Sequence, residues 1–120
     1  MNLRGKRLVR SIVKLALAKK ALDLTVINLK RHSNFTDYFV ICSASVPQHV
    51  KAIADHIIQQ LRLVGLSPLH QDGLTALQWV ALDYGEIIVH IFLPQTREFY
   101  LLEKLWGDAP REVFSEQKHK

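Results

Sequence analysis

The sequence predicts an α/β (α+β) domain, a mixed β-sheet of about five strands packed by helices. Three observations carry this expectation. The runs "LTVINL" (24–29) and "YFVICS" (38–43) have strand length and are rich in β-branched or aromatic residues. Residues 8–16 and 50–64 instead repeat their apolar positions at helical spacing. "WVALDYGEIIVHIF" (79–92) is two aliphatic runs hinged on Asp-Tyr-Gly-Glu, the pattern of a β-hairpin. The predicted order, α-β-β-α-β-β-β-α, mixes local hairpins with a helical crossover, which gives a mixed sheet.

The first helix carries Leu8, Val9, Ile12, Val13 and Ala16 on one face and Arg7, Arg10 and Lys14 on the other. A strand at 24–29 and the polar loop "KRHSNFTD" follow. "YFVICS" is apolar at alternate and intervening positions alike, as an interior strand requires. Ser45 with Gln48 fits a capping box, Pro47 is tolerated in a first turn, and Val50, Ile53, Ala54, Ile57, Leu61 and Val64 form a buried stripe. Gly65 sits where a helix needs a C′ residue at positive φ. "LSPLH" reads as a short edge strand because of Pro68, and Gln71-Asp72-Gly73 as a turn. After the hairpin, Pro94 stops the strand. A helix over about 95–106 presents Phe99, Leu102, Leu105 and Trp106 on one side, and Gly107 closes it. The expected domain is 1–110, with 111–120 as a polar, frayed tail.

At 120 residues the chain is long enough to bury a core without disulfides or metal. One cysteine, Cys42, excludes an internal disulfide framework and suits a reducing compartment. Nothing approaches the ~18 consecutive apolar residues of a membrane span. Charge is unevenly spread: Arg4, Lys6, Arg7, Arg10, Lys14, Lys19 and Lys20 stand in residues 1–22 with no acid. From Asp72 to Glu116 eight acids face three bases. Such asymmetry suits a polyanion near the N-terminus and a basic partner near the C-terminal half. Solvated helix faces with no partner explain the same pattern equally well. The acid-free start also suits an organelle targeting segment, but it meets the first strand with no linker. A cytoplasmic protein is the preferred reading.

Catalytic constellations are weak. Metal-dependent transfer needs paired carboxylates, commonly two positions apart on a strand, and no two acids here have that spacing. "CSAS" lacks the glycines that cradle phosphate. Cys42 sits inside an apolar strand, where a thiol is inert, and the six histidines show no i,i+4 metal spacing. No cofactor is expected. Trp79, Tyr84, Tyr100 and Trp106 are aromatics with polar handles, the residue types of interface hot spots. Trp106 is better explained as core, and Trp79 is open to the same explanation. Asp83, Glu86, Glu98 and Glu103 lie near those aromatics in sequence, so an aromatic patch rimmed by acid fits a basic protein surface. His90, alone in an aliphatic strand, is more ordinarily structural.

Hairpin register decides which residues share that patch. A two-residue Tyr84-Gly85 loop pairs Trp79 with His90 and puts Ala81, Asp83, Glu86 and Ile88 on their side. Val80, Leu82, Ile87, Val89 and Ile91 then make an aliphatic opposite face. Tyrosine suits the φ > 0 site of that turn poorly, and a type I turn with Gly85 as a bulge would move Trp79 to the aliphatic side. Patterning favours the first register and turn chemistry the second; the patterning is given the greater weight.

Five motifs in order, "TDYFVIC" (36–42), "VKAIADHI" (50–57), "DG" (72–73), "WVALDYGEIIVHIF" (79–92) and "FYLLEKLWGDAP" (99–110), resemble the ribosomal silencing factors, the RsfS or Iojap family. The resemblance spans about residues 10–110. Asp72-Gly73 stands where the family commonly has Glu-Gly, Glu86 where it often has Asp, and Ala44 where it has glycine. The basic first helix is outside the pattern. The resemblance implies a nucleotidyltransferase-like fold without catalytic carboxylates, and a non-catalytic translation repressor. Such a factor binds the large ribosomal subunit through ribosomal protein L-fourteen and blocks subunit joining, with a role in large-subunit maturation. It places Trp79, Asp83, Tyr84, Glu86 and His90 at the interface, with Tyr100 and Glu103 behind them. An rRNA contact by the first helix and a homodimer are compatible with the sequence; no membrane partner is expected. The alternatives are a small nucleotide-binding or nucleotidyltransferase-like enzyme and an RNA-binding module.

Overall fold

The computed structural model of the chain describes residues 4–114. Helix α1 (Gly5–Ala18) leads into β1 (Leu22–Asn28) and β2 (Tyr38–Ser43), then α2 (Pro47–Arg62). After these come β3 (His70–Asp72), β4 (Trp79–Asp83), β5 (Ile87–Phe92), α3 (Pro94–Tyr100), a 3-10 helix (Leu102–Trp106) and β6 (Arg111–Phe114). The strands form one six-stranded mixed sheet in the order β3-β4-β5-β2-β1-β6. β2 and β5 pair in parallel at its centre, and the other pairs are antiparallel.

Strand alternation sorts the sheet's two faces. Val26, Tyr38, Val40, Cys42, Val80, Leu82, Ile87, Val89 and Ile91 point to the side covered by the apolar stripes of α1 and α2, and together they form the main core. Ile27, Phe39, Ile41 and Phe92 point the other way and build a smaller second core with Leu29 and Ala109. Trp79, Ile88, Leu102 and Trp106 pack on this second core. Every residue of β2 is buried, because both faces of this interior strand are covered.

Several sequence expectations are corrected. The tail expected from 111 onward begins with β6, which pairs antiparallel with β1 and makes a sixth strand, while residues 115–120 lie outside the described residues. The helix expected over 95–106 is broken at Leu101, which takes φ 49, ψ 45 and separates α3 from the 3-10 helix. Phe99 and Leu105 are consequently exposed while Leu102 and Trp106 pack inward. The capping box does not form: Val46 is the N-cap of α2, and the Ser45 hydroxyl contacts His49 Nδ1 instead. Gly65, at φ +84, does terminate α2, with Leu66 N–H donating to the Leu61 carbonyl and Gly65 N–H to Arg62. Val64 lies beyond that end and is exposed. Strand β3 occupies 70–72, so Gln71 and Asp72 belong to the strand and not to a turn.

The hairpin takes a third register. Trp79 lies opposite Phe92, and Ala81 opposite His90. Tyr84 N–H bonds to the Ile87 carbonyl, so the two-residue loop is Gly85-Glu86. Gly85 then supplies the positive φ, +89, that tyrosine would have found costly. Because this register differs by two residues from the Tyr84-Gly85 one, the strand side chains keep the faces that patterning gave them. Glu86, expected on the Trp79 side, becomes a loop residue and turns to α1 instead.

Candidate docking face

On the second-core side of the sheet, Trp79 and His90 meet through a hydrogen bond: Trp79 Nε1–H donates to His90 Nδ1 at 3.1 Å. Indole is a donor only, so Nδ1 must be the acceptor and the neutral imidazole carries its proton on Nε2. That nitrogen is buried with no hydrogen-bond partner. Burial pushes the His90 pKa down to about 4, so the ring is uncharged near neutrality. Phe39 meets His90 edge-on with ring centres 4.5 Å apart, and Trp79 stacks on Phe92 at 4.9 Å.

Tyr100, from α3, lies across the open side of Trp79 at 4.9 Å and is 53% exposed. Phe99 packs edge-on against Tyr100 at 5.0 Å and is 78% exposed, and Leu105, on the 3-10 helix, is 71% exposed. Contiguous exposed aromatic and aliphatic side chains on a small domain mark a contact surface more often than scattered ones do. The break at Leu101 creates this surface, since it turns Leu102 and Trp106 inward and leaves Phe99 and Leu105 outside.

The other expected site residues are distributed differently. Asp83 shares the face of Trp79 but sits at the far end of β4, about 13 Å along the strand. Its Oδ1 accepts from Gly85 N–H at 2.7 Å and so fixes the turn. Tyr84 turns to the opposite face and packs on the main core. Its desolvated phenol is pushed up to about 12, with the Arg62 charge acting the other way. Glu86 Oε1 accepts from the Gly5 N–H at 2.9 Å, so this carboxylate serves the first turn of α1, where the helix dipole favours negative charge.

Glu103 is held by Arg97 through two bonds, Nε–Oε1 at 3.1 Å and Nη2–Oε2 at 2.8 Å. Those bonds hold its carboxyl below the ordinary value, against an opposing effect of burial. Arg97 also donates to the Asp23 carbonyl at 2.8 Å and to Ser43 Oγ at 2.9 Å. One guanidinium therefore ties α3, the 3-10 helix, and the ends of β1 and β2 together. Sequence reasoning missed Arg97, Phe39 and Phe92. The only sequence signal for the Arg97–Glu103 pair was opposite charge six residues apart, a spacing that does not face across an unbroken helix.

Chemically, the face offers aromatic surface backed by a buried neutral imidazole, with the exposed Glu98 carboxylate on α3. The expected rim acids Asp83, Glu86 and Glu103 are engaged within the fold. Cys42 is fully buried and its thiol is pushed up to about 12 by burial, which removes its nucleophilic form near neutrality. Among the described residues, no three His, Cys, Asp or Glu side chains converge as a metal-holding group, and no helix is long and apolar enough to cross a membrane.

The family profile described as "Ribosomal silencing factor during starvation", RsfS, matches residues 3–120. The chain belongs to the ribosomal silencing factor family. Among its relatives, a "Ribosomal silencing factor RsfS" of Bacillus subtilis is 38% identical over 105 residues, covering 84% of this chain and 89% of the relative. That of Halalkalibacterium halodurans is 37% identical over 92 residues, covering 77% and 79%. A mouse protein named "Mitochondrial assembly of ribosomal large subunit protein 1" is 33% identical over 79% of this chain but only 43% of its own length. A Bacillus halodurans crystal structure, 30% identical, superposes with a TM-score of 0.80 over 90% of this chain and 98% of that one. The fold is also shared by a Chromobacterium violaceum structure at TM-score 0.83 over 89% and 88% of the two chains, despite 22% identity. The RsfS fold is thus the six-stranded mixed sheet with its helices.

Proposed function

We propose that this RsfS-family protein binds the large ribosomal subunit through ribosomal protein L-fourteen and sterically blocks its joining to the small subunit. It acts in the cytoplasm, without catalysis, as a repressor of translation. The observation that carries this reading is the partly exposed Trp79–Tyr100 pair backed by His90, with Phe99 continuing the apolar surface. A basic ribosomal protein would cover these rings while lysine or arginine approaches carboxylates at the rim, Glu98 being exposed there. Trp79 and Tyr100 form the centre of the proposed contact, and the buried His90 holds Trp79 in place from behind. Asp83 marks the contact's far end on β4. Tyr84 and Glu86 would meet a partner only where it reaches around the hairpin turn, and Glu103 contributes through the Arg97 pair. The names of the family and of the mouse relative, which speak of ribosome silencing and large-subunit assembly, support a large-subunit partner. The exposed cations of α1 suit an approach to rRNA phosphate, with salt-dependent affinity.

The test is a gradient of purified subunits with the protein in excess. Free subunits should persist where 70S particles otherwise form; unchanged 70S formation would sink the proposal. Tyr100→Ala should weaken large-subunit binding at least tenfold. Calorimetry with ATP and magnesium checks the nucleotidyltransferase alternative, for which heat of binding would be required.

A further inference from the structure

A second surface lies on the opposite side of the sheet from Trp79, where the strands run out beyond the helices. α1 and α2 cover β4, β5, β2 and part of β1 on this face, whereas the space beside α1 above β1 and β6 is an open groove of about 560 Å³. Its walls and floor are aliphatic over most of their length: Val9, Val13 and Leu17 from α1, Val26 from β1, with Phe114 from β6 at the far end. No aromatic ring is exposed among these, and Phe114 is half-buried. Such a surface offers hydrocarbon contact but little for a nucleobase to stack on.

The groove is polar at one end. α1 begins beside the end of β1, so Lys6 and Asn28 lie at the same end of the lining, and Tyr38 lies beside Asn28 in the sheet register. The Tyr38 side chain is 97% buried by its 3% exposure, and its hydroxyl has no hydrogen-bond partner among the described residues. A buried hydroxyl without a partner costs free energy that an incoming acceptor recovers. Lys30 Nζ stands 5.6 Å from the centre of the same ring. Lys6, Arg10 and Lys14 follow at one-turn intervals along the rim, all exposed. Across from them, Arg111 also lines the groove, but its Nη2 donates to the Glu103 and Trp106 carbonyls, so its charge is engaged elsewhere. Glu112 is the one carboxylate in the lining. From Lys6 to Leu17 the helix advances on the order of 16 Å.

We propose that this groove binds a single-chain anionic amphiphile, a medium-chain fatty carboxylate. Its headgroup lies at the Lys6–Arg10–Tyr38 end and its hydrocarbon runs along Val9, Val13, Leu17 and Val26 towards Phe114. The volume falls in the range of small-molecule sites, and the polar-to-apolar gradient gives the ligand one orientation. Tyr38 O–H donates to a carboxylate oxygen while Lys6 and Arg10 balance its charge. The site lies on the other side of the sheet from the Trp79–Tyr100 contact and shares with the proposed function only the α1 cations offered there to rRNA, so laurate binding and subunit binding are separate readouts.

Isothermal titration of the full chain with sodium laurate, kept below its micelle concentration, tests this. Saturable one-to-one binding is expected, with dodecanol and dodecyltrimethylammonium at least tenfold weaker. Tyr38→Phe removes one oxygen and should reduce laurate affinity at least fivefold; Lys6→Gln with Arg10→Gln should reduce it at least tenfold. Circular dichroism melting of each variant shows whether it is folded, and amide chemical-shift changes on laurate addition should map to residues 6–17 and 111–114 in the wild type. Absence of saturable binding overturns the proposal. So does equal affinity for the cationic amphiphile, or a folded Tyr38→Phe protein that binds as the wild type does. An rRNA oligonucleotide or an acidic peptide that binds through Lys6 and Arg10 where laurate does not also overturns it.

Discussion

His90 makes stability depend on pH between neutrality and pH 5. Its ring is 6% exposed, its Nδ1 is occupied by the Trp79 N–H, and its pKa falls from an ordinary 6.5 to about 4. Burial withholds water from the imidazolium, which is the physical reason for the shift, and protonating Nδ1 would also set two donors against each other. In the unfolded chain the imidazole takes a proton below 6.5, while the folded chain resists until about 4. The unfolded state therefore binds more protons in that window, and stability falls as pH falls. The full effect is about 3 kcal/mol at ~1.4 kcal/mol per pH unit, and about 2 kcal/mol of it is lost between pH 7 and pH 5. For a domain of this length that corresponds to a lowering of Tm by roughly 8 °C.

Urea denaturation followed by far-ultraviolet circular dichroism at pH 7 and pH 5 measures it, in the wild type and in His90→Gln. Glutamine keeps an acceptor for Trp79 but does not titrate, so the variant should lose about 2 kcal/mol less than the wild type over the same interval. An equal loss in both proteins would refute the reasoning, because the proton would then be taken up elsewhere.

Three further outcomes follow from the packing. Trp79→Ala removes a ring stacked on Phe92 and should cost about 3 kcal/mol of stability by chemical denaturation, whereas Tyr100→Ala, at an exposed site, should cost under ~1 kcal/mol. Only Tyr100→Ala thus gives a clean reading of docking. Arg97→Lys forfeits the fork to Glu103 and the bonds to Asp23 and Ser43, and should lower stability by about 2 kcal/mol. Amide exchange should rise in residues 94–106 of that variant before it rises in β2. Gly73→Ala should prevent stable folding, seen as loss of a cooperative thermal transition. Gly73 has φ +87, and an added Cβ would strike the Trp79 carbonyl.

Local physics made some of this legible in the sequence. The uninterrupted apolar run of β2, the stripe of α2 with its glycine stop, and the division of hairpin side chains between two faces each depend on a few neighbouring residues. The remainder depends on partners far along the chain. "REVF" is a strand because β1 offers an unpaired edge, and nothing in four mixed residues announces that. Leu101 breaks the last helix by adopting a left-handed conformation that sequence would assign to glycine or asparagine. Proximity in sequence groups Glu86 with Trp79 in an acidic rim, yet its carboxylate accepts from Gly5, 81 residues earlier. Trp79 and His90 were legible as neighbours because two-residue periodicity survives a shift of register by two. Their contact with Tyr100 also required the geometry of the break.

The parallel pairing of β2 with β5 bears on how the chain is made. These strands lie side by side, Tyr38 against Ile87 and Ser43 against Phe92, yet are separated by the whole of α2, β3 and β4. A chain emerging in order from its N-terminus can cover one face of β1 and β2 with α1 and α2. It leaves the β2 edge open until β5 ends at Phe92, and the β1 edge open until β6 follows. The second core cannot close until Leu102 and Trp106 follow. The centre of the sheet is thus among the last parts to be sealed during synthesis, and fragments ending before Phe92 should be prone to aggregate.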